Sequence, residues 1–446
     1  MIAAATLLSA AFIWLGTGLH PIWWLTWIAA LPILLVAPKV SAGTAARMAF
    51  VAWALGSCNN FPYLYTTLHL PLWLAIWSSV GGALVFAMAV RYWRRSKGIR
   101  AAILFAGIWV VYEFLRYRLS IHSTWDNLAY SQVNSPHVIQ LAALTGVMGI
   151  SFVVLFLQAL IATRQSHATA LAIFTAASLF AYSHYRLQTD LGPTWKVALA
   201  TSDQPPDLTR YAIDSQALLA RGAKVVVLPE KTKKITDADL PAIDAQFGAA
   251  SQNGLIALGL ERWTALDLTH GAKRNETRLY DHGHLRAIYE KQHMLPPFED
   301  HLLVGHETVA FPYSDTIVGT AICKDMTFPS LGCDYGKAHA GLMLIPAWDF
   351  TEDAAYSDRI AVLRGVENGY SILRAPREGN LIASNALGQI QAEIASGSKP
   401  FVTLETQLPV RHFDTLYTQW GDWLLYPLAL LLVWAYLPLH FRPAPR

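Results

Sequence analysis

Charge is scarce in this chain. Only 15% of its 446 residues are Asp, Glu, Lys or Arg, while 54% are hydrophobic; a soluble domain carries about 25% charged residues. The deficit is uneven. Residues 1–190 and 421–440 hold most of the apolar excess, and 195–410 has ordinary globular charge. That distribution excludes a wholly soluble protein and predicts a polytopic membrane protein with one large soluble domain. Cysteine is scarce as well: Cys58, Cys323 and Cys333 offer neither a disulfide framework nor a metal-binding spacing. Cys58 reads most simply as a small buried hydrophobe, and Cys333, ten positions after Cys323, as a passive structural residue, with a second thiol as the alternative. A net charge of +3, with no basic patch interleaved with aromatics, excludes a nucleic-acid partner. There is no Gly-rich phosphate loop, no serine nucleophile elbow, no internal repeat and no low-complexity linker. His293, His301 and His306 lie close in sequence but lack zinc spacing, so neither a metal nor a cofactor is expected.

Long apolar runs supply what charge does not. Stretches able to cross ~30 Å of hydrocarbon occur near 2–18, 20–37, 45–63, 71–91, 101–118, 138–162, 168–186 and 421–440. They predict a bundle of about eight spans. The first run has no charged leader region and no small-residue cleavage site after it, and is expected to be a retained span. Trp23, Trp24, Trp27, Trp420 and Trp423 suit an interfacial belt. Lys39, Arg47, Arg91, Arg94, Arg95, Lys97, Arg100, Arg164, Arg442 and Arg446 all fall on one side of that arrangement. By the positive-inside rule both termini are cytoplasmic and 195–410 lies outside the cytoplasmic membrane. The expected division is 1–190 as a transmembrane bundle, 194–408 as the extracytoplasmic domain, and 409–446 as a final span with a cytoplasmic tail.

The soluble part alternates strand-like runs (195–202, 223–230, 254–260, 278–291, 316–323, 341–348) with helical patterns near 207–221, 238–252 and 355–369. Such alternation, with a hairpin-like stretch at 278–291, predicts an α/β layered domain whose strands end at a shared site. Three reactive groups stand at such ends. Glu230 closes KVVVLPE, Lys291 lies in IYEKQHMLPPFE, and Cys323 closes GTAIC. A thiol attacks only as thiolate and needs a base beside it; Glu230 can take and return that proton, and Lys291 can hold a developing oxyanion. Taken singly, each has an ordinary reading as well: a helix cap, a solvated charge, a core thiol.

The local contexts resemble the nitrilase superfamily. Its members place glutamate after a strand ending in Pro-Glu, lysine in a Tyr-x-Lys-x-x-Leu-x-Pro-like segment, and cysteine in Cys-x-Asp/Glu-x-x-Phe-Pro. Here these read VVVLPEK, YEKQHMLPPFE and CKDMTFP, in the same order. The segment RGVENGYSILRAPREGN (364–380) is similar to that superfamily's helix-to-strand segment behind the site. Within the superfamily, the multi-span region before the domain and one span after it resemble bacterial apolipoprotein N-acyltransferases. So do YEFLRYR with LAYSQVNSPHVIQLAALTGVMGISF (112–152), and LYTQWGDWLL (416–425) entering the last span. Departures from that family's pattern occur at Lys324-Asp325, 346–350, 374–379, 123–126 and 201–203.

The resemblance implies an αββα sandwich and an N-acyltransferase with catalytic Glu230, Lys291 and Cys323. It implies supporting roles for Glu299 and Asp325, which would orient Lys291 and the loop around the thiol, and for Lys324, whose backbone N–H would join Lys291 at the oxyanion. Trp348 and Phe350 are candidate pocket walls. The implied donor is a membrane phospholipid and the implied acceptor a lipoprotein precursor, modified at its N-terminal lipid-bearing cysteine in the bacterial inner membrane. The alternatives are a membrane-tethered amidase or acyltransferase for another amine, serving envelope assembly or conjugation, and a non-catalytic relic.

Overall fold

The computed structural model describes residues 1–204, 207–264 and 272–440, with the side chains of 438–440 excepted. Arg442 and Arg446, used in the charge argument, lie outside the described residues. The chain divides into two compact units, Met1–Gln188 together with the segment from Trp420, and Thr189–Gln419.

The first unit is helical. It comprises α1 (Ile2–Gly16), α2 (Leu31–Val36), α3 (Ala42–Gly56), α4 (Leu72–Arg95), α5 (Gly98–Leu119), α6 (Pro136–Ile139), α7 (Ala142–Ala162) and α8 (Ser166–Leu187), with an apolar helix Leu425–His440 from the far end of the chain. Among the described residues, three helices are both long and apolar enough to cross a membrane: α4, α5 and α7. The expected count of eight is therefore corrected. The second expected span, 20–37, is broken into a 3₁₀ turn Trp23–Trp27, the six-residue α2 and a second 3₁₀ turn Ala37–Lys39. Pro21, Pro32 and Pro38 remove backbone donors at these breaks. The third ends at Gly56, short of its expected limit, and passes into 3₁₀ and π turns. α8 has the length, but its Ser, Thr and His residues dilute its hydropathy. Two buried polar side chains in this unit take up backbone donors, as an apolar surrounding favours. Glu113 Oε1 accepts from Leu128 N–H at 2.7 Å, and Gln158 Oε1 from Ala30 N–H at 2.8 Å.

The second unit is a four-layer sandwich. One sheet runs β13-β1-β2-β4-β5-β6, with β3 paired to β4; the other runs β12-β11-β10-β9-β8-β7. The strands are β1 (Thr194–Thr201), β2 (Val225–Val227), β3 (Lys234–Thr236), β4 (Leu255–Trp263), β5 (Lys273–Asp281), β6 (His284–Glu290), β7 (Val309–Tyr313), β8 (Thr316–Thr320), β9 (Ala340–Trp348), β10 (Ser371–Arg377), β11 (Asn380–Ser384), β12 (Ile390–Ala395) and β13 (Val402–Pro409). β1, β2 and β4 are parallel, as are β8, β9 and β10.

Side-chain alternation explains the layering. Val197, Leu199, Val225, Val227, Leu255 and Ala257 face Val318, Leu342, Leu344 and Leu373 between the sheets. The alternate residues Ala198, Ala200, Val226, Ile256 and Leu258 meet α9 (Leu208–Ala220) and α10 (Leu240–Ala250). Met343, Ile345 and Ile372 meet α11 (Pro329–Lys337) and α12 (Ala354–Asn368) on the opposite face. Strands buried on both faces read as unbroken apolar runs, which is why these segments stand out in the sequence. Each fully buried Val or Leu contributes about 1.5–3 kcal/mol. The stretch 278–291 is indeed part of a hairpin, β5 turning into β6 through His282 and Gly283, both at positive φ.

Candidate active site

Parallel strands of an α/β layer present their carboxyl ends to one side, where ligands bind. Glu230 lies three residues beyond β2, and its N–H donates to Ala347 O of β9 at 3.2 Å, joining the two sheets. Gly259 of β4 lets the Pro229–Glu230 backbone pass close beside it, since a Cβ there would stand 2.8 Å from Glu230 Cα. Lys291 follows β6 directly; its N–H donates to Asn275 O at 2.9 Å, and its carbonyl accepts from Gly305 N–H at 2.8 Å. Cys323 follows β8 at φ +46°. A non-glycine residue held there costs about 1–2 kcal/mol. The kink turns the half-buried thiol toward the carbonyl of Trp348, 3.6 Å away.

The structure brings Glu230, Lys291, Cys323 and Glu299 into one cluster. Lys291 Nζ donates to Glu230 Oε1 at 2.9 Å and pairs with Glu299 Oε2 at 2.8 Å, all three side chains being buried. Lys231 also donates to Glu299. Glu230 Oε2 is buried and, among the described residues, has no hydrogen-bond partner. Burial would lower the Lys291 pKa, but Glu230 and then Glu299 outweigh it and hold the ammonium well above its usual range. Burial pushes the Cys323 thiol up to about 12, with Glu230 adding to the rise and Lys291 opposing it. At neutral pH the thiol therefore keeps its proton until a base removes it, and an unengaged carboxylate oxygen on a residue electrostatically coupled to it is suited to do so.

Asp325 is a hub. Its Oδ1 accepts from Gln292 N–H (3.2 Å), His293 N–H (2.8 Å) and His293 Nδ1 (2.9 Å), and its Oδ2 from Tyr289 OH (2.7 Å) and Ile322 N–H (3.1 Å). It ties the chain after Lys291 to the turn that carries the thiol. Lys324 sends its ammonium to Met294 O at 2.6 Å. Its backbone N–H lies in the first turn of a 3₁₀ helix, where intrahelical acceptors are lacking. Trp348 ends β9 with its indole half-exposed, donates from Nε1 to Glu378 at 3.2 Å and lies under the Arg377 guanidinium, 4.0 Å from the ring centroid. Phe350 sits against Phe298, ring centroids 5.3 Å apart. His293 stacks on Phe328 at 3.5 Å, away from any metal-like cluster among the described residues.

Sequence reasoning missed three groups. Asn275 donates to Glu230 Oε1 and, at 3.2 Å, to Glu299 Oε1. The available signal was a polar residue inside a strand, Lys273–Asp281, whose start was placed five residues late. Lys231 neighbours Glu230 but has nothing local to mark it. Arg374 of β10 joins Asp349, just after β9, and Asp358 of α12 in a wholly buried ion cluster (2.7 Å to Asp358) that is electrostatically coupled to Cys323.

The chain thus combines a four-layer α/β sandwich, with thiol, carboxylate and ammonium near its strand ends, and an apolar helical unit. The family model described as "Apolipoprotein N-acyltransferase N-terminal domain" matches residues 7–160. The apolipoprotein N-acyltransferase of Haemophilus ducreyi is 24% identical over 92% of this chain and 92% of its own length. That of Geobacter metallireducens is 23% identical over 91% and 88%. Among solved structures, an amidase from Nesterenkonia sp. aligns with a TM-score of 0.44 at 17% identity, over 53% of this chain and 96% of its own. Along most of its length the chain is similar, at 23–25% identity, to apolipoprotein N-acyltransferases.

Proposed function

We propose that this protein transfers an acyl chain from a membrane phospholipid to the N-terminal amine of a lipid-modified cysteine in apolipoproteins, through a thioester on Cys323. In the first half-reaction Glu230 Oε2 takes the thiol proton as sulfur attacks the ester carbonyl. The tetrahedral oxyanion rests against the Lys291 ammonium and the Lys324 N–H. Collapse breaks the ester C–O bond, and Glu230 returns the proton to the departing lysophospholipid oxygen. In the second half-reaction the lipoprotein amine attacks the thioester, Glu230 accepts its proton, the C–S bond breaks, and the amide leaves as the thiol is reprotonated. Glu299 and Asn275 fix Lys291 and Glu230, Asp325 positions the two loops, and Trp348 with Phe350 lines the approach. The helical unit sits in the bacterial inner membrane, with α4, α5 and α7 as its full-length crossings. Both termini are cytoplasmic and the sandwich is extracytoplasmic, so both lipid-anchored substrates reach the thiol by lateral diffusion.

The observation that carries this reading is the unengaged Glu230 Oε2 coupled to a protonated thiol and braced by Lys291, in a chain related along most of its length to named N-acyltransferases. The test is incubation of the purified protein with labelled phospholipid, followed by intact mass. A hydroxylamine-labile acyl adduct is expected on the wild type and none on Cys323→Ala. Absence of the adduct, with turnover of a soluble amide instead, overturns the reading. An adduct that a diacylglyceryl-cysteine peptide fails to discharge overturns the acceptor.

A further inference from the structure

At the other end of β9 from Trp348, about 26 Å along the strand, a second group of side chains converges. His339 precedes β9, and His412 and Asp414 follow β13; one ligand-competent atom from each lies within 4.8 Å of the others. Asp414 Oδ1 stands 3.4 Å from His412 Nε2 and 3.7 Å from His339 Nδ1. The imidazole planes are nearly perpendicular, 89°, with centroids 5.1 Å apart.

His412 gives the arrangement its meaning. Its Nδ1 lies 3.0 Å from Ala340 O, an acceptor only, so the proton belongs on Nδ1 and Nε2 carries a lone pair. That Nε2 is buried and makes no hydrogen bond among the described residues, although it faces the Asp414 carboxylate. Two acceptors turned toward each other repel unless a proton or a metal cation lies between them, and a metal cation would draw in His339 as well. A backbone carbonyl that fixes one imidazole nitrogen while the other points at a shared centre is the outer-shell arrangement of metal-bound histidines. The spacing agrees. Bonds of about 2.0–2.1 Å at tetrahedral angles separate ligand atoms by roughly 3.3–3.4 Å. A cleft of about 690 Å³, lined by Pro312, Thr316, His339, Val410 and His412 among others, opens beside the group.

We propose that His339, His412 and Asp414 bind a first-row divalent transition-metal cation, zinc being the best match, with a fourth coordination position left open. Two imidazoles and one carboxylate select such an ion over calcium or magnesium, which take oxygen ligands. The ion would clip the segment after β13 to the leading edge of β9. This site takes no part in the thioester reaction and stands or falls separately from it.

The test uses the full-length protein in detergent, stripped with EDTA, dialysed and titrated with zinc or cobalt. One equivalent of zinc per chain is expected by elemental analysis, and cobalt should develop the intense visible bands of a tetrahedral site. His412→Ala and Asp414→Asn should each weaken zinc binding at least tenfold, and Asp414→Asn should leave apo-protein melting unchanged from wild type. Lys399→Ala is the control and should bind as wild type does. Failure of the wild type to retain stoichiometric zinc, or a purely octahedral cobalt spectrum, overturns the proposal. So does unchanged binding in both ligand variants, which would assign the zinc to His293, His301 or His306.

Discussion

Replacing Glu299 by glutamine probes the electrostatic frame that holds Lys291. The Glu299 carboxylate lies between the Lys291 and Lys231 ammonium groups and also accepts from Leu295 N–H at 2.9 Å. Burial alone would raise its pKa; Lys291 and then Lys231 overcome burial and bring it from 4.5 down to about 2. That difference corresponds to about 3 kcal/mol of stability at neutral pH. Because the folded pKa lies below the unfolded one, the contribution is complete above pH 4.5 and is lost as pH falls through about 2, with roughly half gone near about pH 3. Glu299→Gln keeps the shape and removes the charge. It should cost about 2–3 kcal/mol at pH 7.5, a fall in Tm of about 4–12 °C for a unit of this size. The assay is thermal unfolding in detergent, followed by tryptophan fluorescence, for wild type and variant from pH 7.5 to pH 3. The gap should narrow on acidification below 4.5. Equal Tm values at pH 7.5, or a gap of constant size down to pH 3, would refute the assigned role of the Lys291–Glu299–Lys231 cluster.

Two further outcomes are expected. Asp325→Ala leaves five donors from Tyr289, Gln292, His293 and Ile322 without their acceptor. It should destabilise the sandwich by roughly 3–5 kcal/mol in chemical denaturation, and a loss below 1 kcal/mol would show that the hub is not needed. Burial, and then repulsion from Lys291, bring Lys324 from 10.5 to about 8. The unfolded chain therefore binds more protons between those values, and wild-type stability should rise with pH from about 8 to about 10 relative to Lys324→Met; parallel stability curves would contradict this.

Much of the architecture was legible because burial on both faces leaves a local mark. β2, β8 and β9 appear as unbroken apolar runs, and a reactive residue at the end of such a run is visible by position alone, as Glu230 and Cys323 were. α9, α10 and α12 fell where helical periodicity put them. β10 was legible only through the resemblance of 364–380 to a helix-to-strand segment, and β11 to β13 were not read; β12 and β13 carry exposed polar residues and β11 is only five residues long. The second apolar run gave the wrong element. Hydropathy registers Trp23 to Val36 as continuous, while Pro32 and the 3₁₀ turns on either side interrupt the backbone that a span would need. Asn275 escaped because its role depends on partners 45 and 24 positions away.

By itself the sequence determined the split between an apolar helical part and a globular α/β part, the strands that carry the thiol, carboxylate and amine, and the family resemblance. These follow from composition and short-range periodicity, which any segment displays before it folds. Only the tertiary structure decided that Glu230 keeps one oxygen unengaged, that Asn275 and Lys231 brace the two glutamates, that Asp325 joins two loops, and that His339 meets His412 and Asp414. Those are contacts between residues distant along the chain. Their geometry is set by how two sheets pack, and no local pattern encodes it.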